Sequence, residues 1–362
     1  MESRAKRVFK YVDEEVDAVL FMNEEEPNLD TMFPYVTGTT SGLFEQCIAA
    51  AWPNGNVDLI TNLLEETSAR DSVANVIVFR DKKEKDEHVK DLFGKAKRIG
   101  VNAKGLSYNH LMELQKLLPK AKFIDVSAGM IRAKLVKDSD ELGRLRRACD
   151  IASKVGREIP ESLRPGMTES EGAAEINYRM QKYGASGPSF TTIASFGANS
   201  AEPHHEPDET KLRRSDIALF DYGALFRKYG SDVTRTFFVG RATAEQKRMY
   251  NTVLDAQLAA IAEIRPGMNG KDVDAIARNI IDSTEFKGLL IHSLGHSIGL
   301  SVHDGGRMAP NVDLVLEEGM VLTVEPGIYM KGKGGVRIED DIVVTKNGCE
   351  VLTSAPKELM VI

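Results

Sequence analysis

Cysteine is scarce in this sequence, with three among 362 residues, far apart in the chain. No C-x-x-C pair occurs, which argues against a disulfide framework and favours a reducing, cytoplasmic location. Long apolar runs are also missing and the first residues are charged, so we expect neither a membrane span nor a secretory signal. A formal net charge of −7 argues against nucleic acid or an anionic membrane as the main partner.

The length of the chain predicts two domains, because 362 residues exceed one typical core. Up to about residue 130, strand-like apolar runs alternate with charged helical patterns, which predicts an α/β domain. We place the boundary there, so that residues 1–130 and 131–362 form the two domains. The strand-like runs are 17–22, 57–61, 73–79 and 98–102.

A faint internal repeat runs through the second domain. The segment RPGMTESEGAAEI at 164–176 recurs as RPGMNGKDVDAIA at 265–277. In each copy a Pro-Gly turn precedes a helix cap, which is Thr168 in the first and Asn269 in the second. Two related halves predict a domain with pseudo-twofold symmetry.

Two aspartates interrupt apolar, strand-like sequence in the stretch LFDYGALFRKYGSDVTRTF, residues 219–237. If this stretch is a hairpin with its loop at 225–228, Asp221 lies directly opposite Asp232, with Cβ atoms about 5 Å apart. Like charges this close repel each other, and an apolar setting increases the repulsion. A shared proton or a bound cation would relieve it.

A second pair of acids occurs in the stretch 319–345, which has the glycine-rich turn KGKGG. Pairing the strands about that turn places Glu325 opposite Glu339. Each pair alone could consist of structural acids neutralised by Arg235 or Arg337. Two such pairs together favour a bound cation.

Histidines are concentrated between and beside the two pairs. His296 lies among glycines, where the backbone can approach a ligand closely. One imidazole and four carboxylates form a hard, oxygen-rich set that suits two divalent ions of Mn, Co, Fe or Zn, and the set contains no thiolate, which counts against a structural zinc site. Five of the seven histidines fall in this region: His204, His205, His292, His296 and His303.

The motifs D-Y-G, S-D-V-T-R-T, G-H-S-I-G, V-E-P-G and V-R-I-E-D, in this order, resemble those of the Xaa-Pro dipeptidases (prolidases) and Xaa-Pro aminopeptidases. These metallopeptidases have the pita-bread fold. The resemblance extends from about residue 138 to the C-terminal end, and YVTG at 35–38 resembles the family's N-terminal domain more weakly. It implies a creatinase-like α/β domain, then a pseudo-twofold pita-bread α+β catalytic domain, in a homodimer.

The same resemblance implies two divalent metal ions per subunit. Asp232 and Glu339 would bridge the ions, and Thr234 and Thr323 would orient the carboxylates. Glu325 would also move the proton during catalysis. The implied ligands are Asp221, Asp232, His296, Glu325 and Glu339.

Further residues match family positions outside the ligand set. His303 and His204 match catalytic histidines, and His205 is a weaker match beside His204. His292 is a candidate for substrate binding, with a hydrogen-bonded structural histidine as the alternative. Arg307 matches an arginine that holds the free carboxylate of a dipeptide, with a solvated loop arginine as the alternative.

The sequence departs from the family after His303. The usual continuation is His-Glu-x-Pro, whereas this chain has HDGGRMAP. Asp304 keeps an acid but the proline is missing. We therefore expect the loop that shapes the pocket to differ.

Hydrolysis of the peptide bond before proline, in Xaa-Pro dipeptides, is the function that the resemblance implies, with short proline-containing peptides as substrates. An Xaa-Pro aminopeptidase acting on longer peptides is the alternative within enzymes. The N-terminal domain disfavours a methionine aminopeptidase, and the full ligand set disfavours creatinase-type chemistry. A metal-free peptide-binding module of the same fold is the alternative of a different class.

Overall fold

The chain divides after Lys134 into two units. The computed structural model describes residues 2–362. The boundary expected from the sequence, near residue 130, lies a few residues earlier. Both units combine helices with strands, and each has its own buried core.

The first unit is built on one mixed sheet. Its strands are β1 (Ala18–Met22), β2 (Ile48–Ala51), β3 (Val57–Asn62), β4 (Asn75–Phe79), β5 (Arg98–Val101) and β6 (Lys122–Asp125). They are ordered β4-β3-β2-β1-β5-β6, with antiparallel pairing on both sides of β2 and parallel pairing elsewhere. Every residue of β1 is buried, which is typical of a strand that is covered on both faces.

Helices separate most of these strands along the chain. They are α1 (Arg4–Tyr11), α2 (Met32–Thr37), α3 (Glu66–Arg70), α4 (Lys82–Phe93), α5 (Tyr108–Leu117) and α6 (Ser127–Leu135). The predicted strand-like runs all form strands, namely β1, β3, β4 and β5. The prediction of an α/β domain is therefore confirmed.

The second unit contains four helices and several short sheets among its described residues. Its helices are α7 (Ser139–Ser162), α8 (Glu169–Lys182), α9 (Ala244–Glu263) and α10 (Gly270–Asp282). The strands of its first half are β7 (Gly187–Pro188), β8 (Ile193–Phe196), β9 (Ile217–Tyr222), β10 (Ala224–Phe226), β11 (Tyr229–Gly230) and β12 (Val233–Phe238). Those of its second half are β13 (Gly295–His296), β14 (Arg307–Met308), β15 (Val321–Val324), β16 (Gly327–Met330), β17 (Gly334–Arg337), β18 (Asp340–Thr345) and β19 (Gly348–Val351).

The internal repeat corresponds to two halves with matching architecture. Thr168 caps α8 and Asn269 caps α10, as predicted. The amide of Gly166 donates to the carbonyl of Leu212 at 2.8 Å, and the amide of Gly267 donates to the carbonyl of Leu316 at the same distance. Each half then has a three-stranded antiparallel sheet, β12-β9-β8 in the first and β15-β18-β19 in the second. The pseudo-twofold prediction is confirmed.

The packing of the two halves determines where a site can form. Helices α7 and α8 pack against strands of the first half, and α9 packs against α10 and strands of the second half. One buried cluster contains Phe196, Phe220 and Tyr222, and another contains Leu322 and Ile342. Strands β9 and β12 contribute to both clusters, and every residue of these two strands is buried, so polar side chains on them have little access to water.

Candidate metal centre

The first hairpin has a shorter loop than the sequence predicts. Its turn consists of Arg227 and Lys228, with φ of 46° and 72°, and positive φ at both central residues is what a type I′ turn requires. Phe226 and Tyr229 face each other across this turn. The predicted loop at 225–228 is therefore wrong, and the predicted register is wrong with it.

The two aspartates are consequently not direct partners. Asp221 in β9 faces Thr234 of β12, and Asp232 lies just before the first residue of β12. The register differs from the prediction by two residues, which preserves the alternation of side chains between the two faces. Both aspartates therefore still line one cavity.

The second hairpin has the predicted register. Strand β15 pairs with β18, and β16 pairs with β17, in one continuous alignment. Glu325 and Glu339 lie opposite each other in the gap between these two ladders. Their amides bond elsewhere, to the carbonyls of Leu294 and Thr234. Both carboxylates belong to the cavity lined by the two aspartates.

The five expected ligands come together around this cavity, which has a volume of about 760 Å³. Ligand atoms of Asp232, His296 and Glu339 all lie within 4.8 Å of one another. His296 Nε2 is 3.3 Å from Glu325 Oε1 and 3.7 Å from Asp232 Oδ2. Asp221 lines the same cavity, at one side of this cluster.

The electrostatics of the cluster fit a divalent cation. Burial raises the pKa of Glu325 to about 8, and burial and nearby carboxylates raise the pKa values of Asp232 and Glu339 well above their usual range. Burial lowers the pKa of His296 to about 4, which keeps the imidazole neutral and able to bind a metal. Oδ1 of Asp221 and Oδ1 of Asp232 are buried without a hydrogen-bond partner. Buried acids with free oxygens are the donor set that a hard cation would satisfy.

A buried arginine supplies part of the positive charge. Arg337 Nη2 donates to Asp221 Oδ2 at 2.6 Å, and Nη1 donates to the hydroxyl of Tyr329 at 2.8 Å. Its Nε also donates to Thr234 Oγ1 at 2.9 Å. The sequence identified Arg337 as a possible partner of the acids but did not predict this network or the role of Tyr329. One arginine cannot neutralise four carboxylates.

Two threonines orient the carboxylates, as the resemblance implied. Thr234 Oγ1 donates to Glu339 Oε2 at 2.6 Å. Thr323 Oγ1 donates to Glu325 Oε1 at 3.1 Å and accepts from the amide of His296 at 3.0 Å. These bonds fix two of the acids and connect Glu325 to the backbone of His296.

Sequence reasoning missed Asp341. Its Oδ2 accepts from the amide of Asp232 at 2.9 Å and from Cys149 Sγ at 3.3 Å, so it holds the backbone of a candidate ligand. The neighbouring Asp340 pairs with Arg235 instead, at 2.7 Å. The only sequence signal was the run of acids after Glu339, which does not tell which of them face the cavity.

The histidines divide between the cavity and its supports. His303 and His204 line the cavity, and the ring of His303 lies edge-on to that of His296, with centroids 4.3 Å apart. His205 bonds to Glu169 instead, with its Nε2 2.7 Å from Oε2. The preference for His204 over His205 as the cavity residue agrees with this placement.

His292 is fully engaged in hydrogen bonds. Its Nδ1 lies 2.8 Å from the carbonyl of Ser293, and its Nε2 lies 2.8 Å from the hydroxyl of Tyr329. Burial lowers its pKa to about 4. His292 lines the cavity, yet both ring nitrogens are occupied, which favours the structural alternative.

Arg307 lies on β14, opposite His296 of β13. It is exposed and lines the cavity. Within residues 2–362 its guanidinium has no hydrogen bond or salt bridge. Its donors therefore face the cavity without a protein partner.

Comparison with known proteins identifies the family. A sequence model of metallopeptidase family M24 matches residues 143–346, and one of the creatinase/prolidase N-terminal domain matches residues 6–134. The Xaa-Pro dipeptidase of Pyrococcus horikoshii is 36% identical over 364 residues, which cover 99% of each chain. The chain belongs to metallopeptidase family M24.

Solved structures of this family superpose over the whole chain. An Xaa-Pro dipeptidase from Bacillus anthracis has a TM-score of 0.90 and 32% identity, with 99% of both chains covered. An X-Pro aminopeptidase from Thermotoga maritima has a TM-score of 0.89 and 32% identity, with 100% of both chains covered. The expected fold class, a creatinase-type α/β domain followed by an M24 catalytic domain, is confirmed.

Membership of family M24 makes the chain a peptidase that uses divalent metal ions. The cluster of acids and imidazole described above is where such ions would bind. Among residues 2–362, no helix combines the length and apolarity that crossing a membrane requires.

Proposed function

We propose that this M24 peptidase hydrolyses the peptide bond before proline in Xaa-Pro dipeptides, with two divalent ions of Mn, Co, Fe or Zn per subunit. The observation that carries the proposal is the convergence of four carboxylates and one neutral imidazole on a single cavity. Similarity to an Xaa-Pro dipeptidase over 99% of the chain supports the choice of substrate. Five residues would hold the ions, namely Asp221, Asp232, His296, Glu325 and Glu339.

Bound ions and the side chains of the cavity would have separate roles in the reaction. When bound, divalent ions supply Lewis acidity and a water of lowered pKa. The carboxylate of Glu325 takes a proton from the attacking water and returns it to the leaving proline nitrogen. His303 and His204 donate hydrogen bonds to the carbonyl oxygen as its charge develops.

Arg307 provides the preference for dipeptides. Its unpaired guanidinium can hold the free carboxylate of a dipeptide in a bidentate bond, and a longer peptide has no carboxylate at that position. A proline nitrogen in peptide linkage carries no hydrogen, so the pocket needs no acceptor there. Apolar residues can therefore surround the proline ring, and the apolar residues that line the cavity include Phe190, Ile193 and Val302.

A pair of peptides tests the proposal. The protein is first stripped of metal with a chelator and then reloaded with Mn or Co. Its hydrolysis of Met-Pro is compared with its hydrolysis of Met-Pro-Pro. We expect Met-Pro to be the better substrate. A preference for Met-Pro-Pro would identify an Xaa-Pro aminopeptidase, and cleavage of neither peptide with either metal would favour the peptide-binding alternative.

We further propose a homodimer in a reducing compartment. Leu64 is 92% exposed and Val73 is 75% exposed on the first unit, and Leu64 is the more exposed candidate for a contact between subunits. The three cysteines are free, which fits the cytoplasm. Light scattering on the purified protein should give twice the mass of one chain, and replacing Leu64 by glutamate should lower it toward the monomer value.

A further inference from the structure

We propose that Glu169, a buried carboxylate outside the metal cluster, is a positioning residue for His204. The inference rests on the proposed function in one respect only, which is that His204 contacts the substrate. Glu169 begins helix α8, directly after its cap Thr168, and none of it is exposed to solvent. A fully buried acid requires partners, and those of Glu169 surround the segment that carries His204.

The first oxygen of Glu169 holds the start of this segment. Glu169 Oε1 accepts from the amide of Phe196 at 2.7 Å, where strand β8 ends. It also accepts from Asn199 Nδ2 at 3.0 Å, within the short 3₁₀ turn Gly197–Ala201.

The second oxygen holds the end of the same segment. Glu169 Oε2 accepts from His205 Nε2 at 2.7 Å, and His205 is the residue next to His204. It also accepts from the amide of Asp208 at 3.2 Å. One rigid carboxylate therefore fixes segment 196–208 on both sides of His204.

A second contact fixes the middle of the segment against the metal-binding hairpin. Ser200 Oγ accepts from the amide of Gly335 at 2.8 Å. A side chain at Gly335 would collide with the backbone of Ser200, since a Cβ there would be 2.2 Å from its carbonyl oxygen. The segment thus lies between Glu169 and β17, and its irregular backbone has little freedom once both contacts form. His204 itself remains exposed at the cavity.

A metal ion at Glu169 would be the rival explanation. Ligand atoms of Glu169, His205 and Asp208 do lie within 4.8 Å of one another. However, two of the four donors to Glu169 are backbone N–H groups, whose positive ends point at the carboxylate. A cation in that position would have to displace them, so the geometry favours hydrogen bonding over metal binding.

The chain offers a matched control in the same helical turn. Glu171 Oε2 accepts from the amide of Thr168 at 2.9 Å in a capping box, and the residue is exposed. Glu169→Gln and Glu171→Gln remove the same charge two residues apart. Glu169→Gln replaces one carboxylate oxygen by an amide nitrogen, which cannot accept from the N–H donors of segment 196–208. Glu171→Gln leaves those donors unaffected, because Glu171 accepts from Thr168 instead.

A double-mutant cycle tests positioning against a merely structural role. Turnover of Met-Pro is measured for the unmodified protein, Glu169→Gln, His204→Ala and the double variant, and the metal content of each is checked. We expect Glu169→Gln to lower kcat/KM by roughly tenfold or more when His204 is present, and by less than about twofold when it is absent. Glu171→Gln should change kcat/KM by less than about twofold. Equal losses in both backgrounds would overturn the proposal.

A second readout separates this inference from the proposed function. Hydrogen exchange is measured on the same variants, and Glu169→Gln should accelerate exchange in residues 196–208 but not in β15 or β18, while Glu171→Gln should leave 196–208 unchanged. If Met-Pro is not cleaved by any variant, the proposed function fails and exchange alone decides on the positioning. Unchanged exchange in 196–208 would overturn it. Should Glu169→Gln not fold, His205→Gln takes its place in both experiments, with the same expected coupling to His204.

Discussion

At the scale of single residues, the exposed guanidinium of Arg307 is the group that we propose distinguishes dipeptides from longer peptides. Arg307→Met should raise KM for Met-Pro by about 10- to 100-fold, because a charge-assisted hydrogen bond contributes about 1.5–3 kcal/mol. The KM of Arg307→Lys should lie between those of the unmodified protein and Arg307→Met, since an ammonium keeps the charge but not the planar fork. Steady-state kinetics on each variant measure the effect.

Met-Pro amide is the internal control for this prediction, because it has no carboxylate for Arg307 to hold. The variants should hydrolyse the amide almost as well as the unmodified protein does. Equal losses on the acid and the amide would show that Arg307 does not recognise the carboxylate.

The buried guanidinium of Arg337 should matter most when no metal is bound. In the metal-free protein, Arg337→Met leaves Asp221 without its partner, and breaking a buried pair in this way costs about 3–5 kcal/mol. Urea denaturation in the presence of a chelator measures the loss in the free energy of unfolding.

Arg248 provides the comparison for this measurement. It pairs with Glu285 at 2.7 Å on the surface, with both side chains more than half exposed. Arg248→Met should cost about 0–1 kcal/mol. Similar losses for the two variants would contradict the role of Arg337 as a counter-ion in the metal-free centre.

The sequence indicated the four acids and the imidazole better than it indicated the residues that support them. Acids inside apolar strands conflict with burial, and that conflict is visible in sequence. The sequence named Arg337 only as a possible partner of the acids, and it gave no role to Asp341 or Glu169, because the groups that these residues contact are distant in sequence. Only the folded chain shows which partner each one finds.

At the scale of elements, the turn of the first hairpin gives a stability prediction. Arg227 and Lys228 both have positive φ, which is unfavourable for residues with a Cβ. Replacing them with Asn and Gly should raise the free energy of unfolding by about 1 kcal/mol without changing activity, because these residues are the preferred ones in type I′ turns. Urea denaturation of the double variant measures it.

Lys331→Gly is the control for the turn. Lys331 also lies in a hairpin turn, but its φ is not positive, so glycine should lower stability there. A lower stability of the Asn-Gly variant would contradict the assigned turn geometry.

The same turn explains why one hairpin register was predicted and the other was not. In the second hairpin a glycine-rich stretch identifies the turn, and the pairing of Glu325 with Glu339 follows from it. In the first hairpin the turn is Arg-Lys, which has none of the residues that normally identify type I′ turns. Its loop was therefore predicted too long, and Asp221 was paired with Asp232 instead of Thr234.

At the scale of the whole molecule, the repeat in the sequence predicted the architecture that creates the site. Two similar halves pack together, and the acids carried by strands of both halves line one cavity. The alternation of strands and helices likewise predicted the α/β nature of the first unit. The shape of the cavity was not predictable, since it depends on irregular segments such as 196–208 and 297–310 whose positions are set by distant contacts.

Metal stoichiometry tests the central claim most directly. The protein is stripped with a chelator, equilibrated with Mn²⁺, dialysed and analysed for metal per chain. We expect two equivalents for the unmodified chain and a clear loss for Glu339→Gln, whose carboxylate would help to hold the ions. Less than one equivalent in the unmodified chain, or no difference between it and Glu339→Gln, would contradict the claim that these buried acids exist to bind a pair of cations.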